Sequence, residues 1–282
     1  MKVFALTSFA LIAFAMNSLL CRMALGGEVI DAASFTVVRL VSGAVMLAII
    51  LLLSGKRNAV NTKSNWPSTF FLFAYAICFS LAYLGLTTGT GALILFGSVQ
   101  MTMIGVALFN GERPRLLEWL GLTLAFCGLI YLVCPGLSAP PIISSLLMAA
   151  AGIAWGFYTL RGKKSDDPLA DTAANFVRSV PMVILVALPL LSQINVSARG
   201  VILAVISGAV TSGLGYTVWY AALKYHTATR AAILQLTVPV IAAVSGVFIL
   251  SEAADLRLVI ACVLILGGIG LTAATKAPSS VS

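Results

Sequence analysis

Charge is what this chain has least of. Only 9% of its 282 residues are Asp, Glu, Lys or Arg, with nine acids and a single histidine, His226. A soluble domain of this length needs a charged face on most of its helices, and these charges are too few to supply one. Catalytic sets are missing as well. Intramembrane proteolysis would want a Ser/His pair or two mid-span aspartates, and metal hydrolysis would want a His/acid cluster; the sequence has neither. An enzyme is therefore disfavoured, and no cofactor or metal is expected. The five cysteines (Cys21, Cys78, Cys127, Cys134, Cys262) form no CxxC pair and are expected to be small, buried apolar fillers. Long polar segments are also lacking: connections such as SGKRNAVNTKSN from Ser54 and RGKKSDDPLAD from Arg161 leave no room for a soluble domain.

What remains is apolar. Hydrophobic residues make up 60% of the chain and mean hydropathy is +1.06. Uninterrupted apolar runs of about 20 residues recur, enough to cross roughly 30 Å of hydrocarbon as helices, whereas barrel strands would alternate over about 10 residues. The expected fold is an all-α integral membrane protein with ten transmembrane helices, near 3–25, 33–54, 66–86, 90–110, 116–134, 141–160, 172–193, 200–223, 228–250 and 256–275.

The chain is also written twice. At an offset of 139 residues Arg22 meets Arg161, Val38 meets Val177, Arg39 meets Arg178, and Thr88, Thr90 and Ala92 meet Thr227, Thr229 and Ala231. After one inserted residue Glu112 meets Glu252 and Gly128 meets Gly268. The expected units are a first repeat over 1–137, a second over 138–276 and a polar tail over 277–282. Lys2, an apolar run and Ala13-Phe14-Ala15 resemble a cleavable leader. That span has its own partner in the second half, however, so it is expected to be retained. Duplication in an apolar chain marks secondary transporters, whose two related bundles enclose a site that opens to either side.

Net charge +8 reports topology before it reports partners. With the N-terminus inside, every basic residue except Arg22, Arg39, Arg178, Arg199 and Arg257 falls in a cytoplasmic segment, so both termini are expected there. Five spans per repeat is an odd number, so the second repeat enters the membrane inverted. The expected location is the cell's inner (plasma) membrane, the expected partners are the lipid bilayer and a small solute, and nucleic acid is not expected.

The segments SVQMTMIGVALFNGERP (98–114) and TVPVIAAVSGVFILSEAA (237–254) each close the fourth helix of a half on a Gly-Glu or Ser-Glu step. With ten spans and two repeats, they resemble the EamA-type exporters of the drug/metabolite transporter superfamily, the aromatic-amino-acid exporters first among them. The resemblance implies a cavity surrounded by helices 1–4 and 6–9, with helices 5 and 10 outside, and export of amino acids or similar metabolites by alternating access. Broad drug or organic-cation efflux is the alternative.

All nine acids lie in loops or within a turn of a span end, so proton coupling through a buried carboxylate is disfavoured. Glu112 and Glu252 are expected to accept from the first amides of the span that follows each. Deep polar groups would be unsatisfied facing lipid and are candidates for a substrate lining: Asn17, Tyr75, Ser80, Tyr83, Gln100, Trp155, Tyr158, Tyr216, Trp219 and Gln235. Such a neutral, aromatic lining suits an uncharged or zwitterionic solute; the bland reading of each residue is hydrogen bonding between helices. Arg39 and Arg178 occupy equivalent positions inside helices 2 and 7, and anchoring competes with a shared gate or carboxylate contact. Pro181 and Pro239 are candidate hinges, because each frees a carbonyl within a span. Small residues in helices 5 and 10 (Gly121, Gly128, Gly267, Gly268, Gly270) allow close packing, within a monomer or at a homodimer seam.

Overall fold

The computed structural model describes residues 2–55, 66–109, 111, 116–134, 139–163, 165–189, 194–225, 234–235 and 237–274. Ten helical rods run through them: α1 (Lys2–Gly26), α2 (Ala32–Leu53), α3 (Trp66–Ala82), α4 (Thr88–Phe109), α5 (Leu116–Val133), α6 (Ile142–Gly162), α7 (Pro168–Ala187), α8 (Ala198–Leu223), α9 (Thr237–Leu250) and α10 (Leu256–Ala274). Six are long and apolar enough to span a bilayer; α3, α5, α9 and α10 are shorter apolar rods within the described residues. Several starts follow local chemistry. Asp31 accepts from the Ser34 amide at 2.8 Å to open α2, Ser197 accepts from Gly200 at 3.1 Å to open α8, and Asp255 accepts from Leu258 at 2.8 Å to open α10. Asp167 and Pro168 start α7.

Asp31 also receives the Asn195 amide, and Ile30 bridges Val196, which ties the α1–α2 turn to the α7–α8 turn. Burial works against the Asp31 charge, but these amide hydrogen bonds hold its carboxyl below the usual carboxylate range.

The helices touch in exchanged pairs. α1 packs on α8 and α9, while α6 packs on α3 and α4; α2 meets α8, while α7 meets α3; and α2–α7, α4–α9 and α5–α10 each pair a helix with its own equivalent five places on. α5 and α10 pack chiefly on each other, where Gly268 lies against the Gly121 carbonyl and Gly128 against Leu264 and Ile265, and they touch the rest of the bundle through α4. Gly121, Gly128 and Gly268 thus serve packing within the chain, whereas a Cβ at Gly267 or Gly270 would meet nothing within 4 Å. Two of the cysteines depart from expectation: Cys127 and Cys134 are exposed on the α5 flank and only Cys21 is fully buried.

The surface is apolar and the interior is comparatively polar. Phe4, Leu53, Phe109, Phe248 and Val263 are well exposed, while Asn17, Ser18, Thr36, Arg39, Ser80, Gln100, Thr211 and Ser212 are buried. Water would penalise that distribution and hydrocarbon favours it, so the chain is a multi-pass membrane protein.

One helix departs from regular geometry. Within α8, Ile206–Leu214 is a π-helical stretch between α-helical Ala198–Val205 and Gly215–Leu223. Its sequence ISGAVTSGL is short of bulky side chains, and Gly208 lies so close to α2 that a Cβ would strike Ser42 Oγ and the Arg39 carbonyl. Such stretches are rare and tend to sit at functional sites.

Candidate functional site: a central aromatic cleft

The π-helical stretch turns its hydroxyls toward α1. Asn17 Oδ1 accepts from Ser207 Oγ at 2.7 Å and from Thr211 Oγ1 at 3.1 Å, and Asn17 Nδ2 donates to the Tyr75 hydroxyl at 3.3 Å. Arg39 Nη2 donates to that same hydroxyl at 3.1 Å, and its Nε donates to Ser212 Oγ at 3.3 Å. One network therefore joins α1, α2, α3 and α8 at the middle of the bundle. The Arg39 guanidinium also lies 5.3 Å from the Tyr75 ring centroid and 5.0 Å from that of Phe79. It is 1% exposed, its Nη1 has no hydrogen-bond partner, and among the described residues no carboxylate pairs with it.

Phe14, Asn17, Ser18, Tyr75, Phe79, Leu95, Phe96, Trp155 and Tyr216 line a narrow cleft beside this network, with room for no more than about one water. Helices of both halves contribute. The rings form a continuous column: Tyr83 to Phe79 at 4.9 Å, Phe79 to Tyr75 at 5.3 Å, Tyr75 to Trp155 at 4.9 Å and Trp155 to Tyr158 at 5.6 Å. Phe14 meets Trp155, Tyr216 and Trp219 edge-on within 6.0 Å.

Of the residues singled out in the sequence, Asn17, Tyr75, Trp155 and Tyr216 come together on the cleft wall, with Trp219 behind Phe14. Tyr83 and Tyr158 stand at opposite ends of the column. Ser80 is a packing residue here, accepting from Thr36 Oγ1 at 2.8 Å and donating to the Ala76 carbonyl. Gln100 and Gln235 are buried but are not among the lining residues. The two arginines part company: Arg39 is central, whereas Arg178 is only half-buried and lines neither this cleft nor the one described next. The lining itself is neutral, with the Arg39 guanidinium behind it on the Tyr75 hydroxyl. Pro181 lies inside α7 on an exposed face, and Pro239 lies near the start of the α9 span Thr237–Leu250, with residues 234–235 before it also helical.

Each end of the column has its own polar cluster. At the Tyr83 end, Arg22 Nε meets Glu252 Oε1 at 3.2 Å and Arg22 Nη1 donates to the Tyr83 carbonyl at 3.2 Å. Glu252 also accepts the Thr88 amide at 2.8 Å. The expectation that Glu252 caps its own following helix is thus corrected: Asp255 caps α10, and Glu252 caps α4 of the other half. The reach is local in origin. Ser251 takes a left-handed φ of 53°, the Glu252 amide turns back to the Gly246 carbonyl, and the absent Cβ of Gly246 leaves space for the carboxylate. Glu112 lies outside the described residues. At the Tyr158 end, Tyr158, Arg161, Asp171, Asn175 and Tyr220 line a second small cleft, with Arg161 Nε donating to Ser68 Oγ at 3.1 Å and Ser165 Oγ donating to Asp171.

Sequence reasoning missed Phe14, Phe79 and Tyr220. The two phenylalanines carry no signal in so apolar a chain. The Gly- and Ser-rich run of α8 did carry one.

Comparison with known proteins settles the family. The model of the EamA-like transporter family matches residues 142–274. An uncharacterized protein of Pseudomonas aeruginosa is 47% identical over 98% of this chain and 96% of its own. The chain belongs to the EamA-like transporter family. This EamA-type chain is accordingly a transporter and not an enzyme. It is also 26% identical, over 76% of its length and 78% of the relative's, to an uncharacterized transporter of Archaeoglobus fulgidus. A probable amino-acid metabolite efflux pump of Salmonella typhimurium is 25% identical over 69% of this chain and 70% of its own. A solved crystal structure shares the fold, with a TM-score of 0.69 at 18% identity over 95% of this chain and 97% of that one.

Proposed function

We propose that this EamA-type transporter exports amino acids or closely similar metabolites from the cytoplasm, by alternating access through the central cleft between two inverted five-helix repeats. The observation that carries this reading is the cleft itself: an amide, hydroxyls and a cage of aromatic rings, buried at mid-bundle where both halves meet. Binding in repeat-built transporters lies at such midplane interfaces. The efflux-pump name of the Salmonella relative supports the solute class. The basic loops support an inner-membrane protein with both termini cytoplasmic, which puts the Arg22–Glu252 end outside and the Arg161 end inside.

A solute of amino-acid size requires the rings to part, since the cleft is narrow in this conformation. Organic cations are a poor fit, because the Arg39 guanidinium stands behind the wall with no carboxylate to offset it.

Counterflow from loaded proteoliposomes tests the reading. Phenylalanine and other apolar amino acids should exchange, and quaternary amines should not. Trp155→Ala should slow exchange several-fold, because aromatic contact and hydrogen bonding contribute about 1 kcal/mol each. Phe109→Ala, on a side chain 96% exposed on the outer surface, should not. Exchange of quaternary amines in place of amino acids would replace this reading with drug efflux.

A further inference from the structure

Arg39 is the odd group in this site. A guanidinium has five N–H donors in a rigid fork. Here one meets Ser212, one meets Tyr75, and Nη1 meets nothing, although the whole side chain is 1% exposed. The faces of Tyr75 and Phe79 compensate part of the lost hydration. They do not replace an anion, and a buried cation without one is unfavourable. The Tyr75 hydroxyl already accepts from both Asn17 and Arg39. It also lines the cleft, so the guanidinium stands one side chain behind the substrate space.

Among the described residues the opposite charge is missing from the same place. Among the described residues the acidic side chains bond at helix ends, as with Glu252 on Thr88, Asp31 on Ser34 and Asp255 on Leu258. Asn17 Oδ1, an acceptor that could face an ammonium, is already taken by Ser207 and Thr211. The cleft therefore offers a cation for a carboxylate and apolar rings for a side chain, but no anion for an amino group.

We infer that this transporter selects its solute as an apolar or aromatic monocarboxylate: the carboxylate takes the free Nη1 edge of Arg39, the rings take the hydrocarbon part, and an α-amino group is tolerated and not recognised. This rests on the central cleft being the transport site, and it deepens that reading by naming the ionic class. Arg39 is the substrate's counter-ion, and the empty-site conformation keeps its guanidinium on Tyr75 and the rings until an anion arrives. Carboxylates lacking the amino group belong to the solute range as much as amino acids do.

Counterflow with three compounds that differ only at these groups tests the inference: phenylalanine, 3-phenyllactate and phenethylamine. Phenyllactate should exchange at least as fast as phenylalanine, and phenethylamine at least 10-fold more slowly. Arg39→Lys keeps a charge but loses the planar fork, and should lower exchange of both carboxylates about 10- to 100-fold at sub-saturating solute. Exchange of phenethylamine within about threefold of phenylalanine overturns the inference and leaves the exporter reading standing. So does failure of phenyllactate where phenylalanine succeeds. Failure of all three in the wild-type protein overturns the exporter reading with it. Quenching of wild-type tryptophan fluorescence by the three compounds gives the same ranking without substituting the buried Arg39, and a stronger response to the amine than to the acid overturns the inference equally.

Discussion

Glu252→Gln keeps the size of its side chain and removes its charge. In the structure that charge receives Arg22 Nε at 3.2 Å and the Thr88 amide at 2.8 Å, and the two side chains of the ion pair are 25% and 11% exposed. Hydrogen bonds to a charged group contribute about 1.5–3 kcal/mol, against about 0.5–1.5 kcal/mol for neutral ones. Neutralising an acceptor of two such bonds would remove about 2 kcal/mol, and partial exposure of Arg22 reduces this to about 1–2 kcal/mol. The three groups belong to the end of α1, the start of α4 and the α9–α10 turn, so their separation is what opening this end of the column requires. The equilibrium between closed and open ends should then move about 5- to 30-fold toward open. Cys21 is the built-in reporter, fully buried and adjacent to Arg22. With Cys78, Cys127, Cys134 and Cys262 replaced by Ser, alkylation of Cys21 by a membrane-impermeant maleimide added outside cells should accelerate by that factor. An unchanged rate in both Glu252→Gln and Arg22→Gln, in folded protein, refutes the role of this cluster as a closure. Acceleration only when the reagent is inside refutes the orientation.

Transport should persist when the pH gradient across proteoliposomes is collapsed, because the described acids sit at helix ends and none joins the central network; strict dependence of counterflow on that gradient would reveal a proton carrier elsewhere. Gly208→Ala should destabilise the protein by about 1–3 kcal/mol, since the new Cβ meets not only the Ser42 side chain but also the Arg39 carbonyl, a backbone group of α2 that cannot swing aside. Its thermal unfolding in detergent should fall by several degrees, and an unchanged midpoint would mean that α2 and α8 are not in this close contact.

The scaffold was legible in the sequence because its signals are long and redundant. Apolar run length gave ten rods, and the duplication set equivalent helices in each half, although their pairing as α2–α7, α4–α9 and α5–α10 was seen only in the structure. The site was legible only where a polar or large amphipathic residue stood out against an apolar background. Asn17, Tyr75, Trp155 and Tyr216 stood out; Phe14 and Phe79 could not, because ring packing is indistinguishable in one dimension from lipid-facing bulk. Glu252 misled for a different reason. Its nearest amides in sequence open α10, but a left-handed Ser251 and the bare backbone of Gly246 direct it to Thr88, 164 residues away. Arg39 and Arg178 show the limit of repeat logic: equal positions in the duplication do not give equal neighbours.

That last inequality has a physical basis. Six of the nine lining residues lose their chemistry when shifted by the repeat offset: Phe14 becomes Ile153, Asn17 becomes Gly156, Tyr75 becomes Leu214, Phe79 becomes Val218, Trp155 becomes Met16 and Tyr216 becomes Ile77. The sequence is duplicated and the chemistry of these six positions is not. Two related bundles need similar packing surfaces if opening to one side and opening to the other are to be close in energy, and selection on that balance acts on helix contacts. A solute with one carboxylate needs one guanidinium. A second at the equivalent position, buried in the same narrow cleft, would add like-charge repulsion of about 4 kcal/mol at 4 Å for an effective dielectric constant near 20. Arg178 avoids it by standing half-buried away from the cleft, so the duplicated arginine survives in the sequence while only Arg39 keeps the central place.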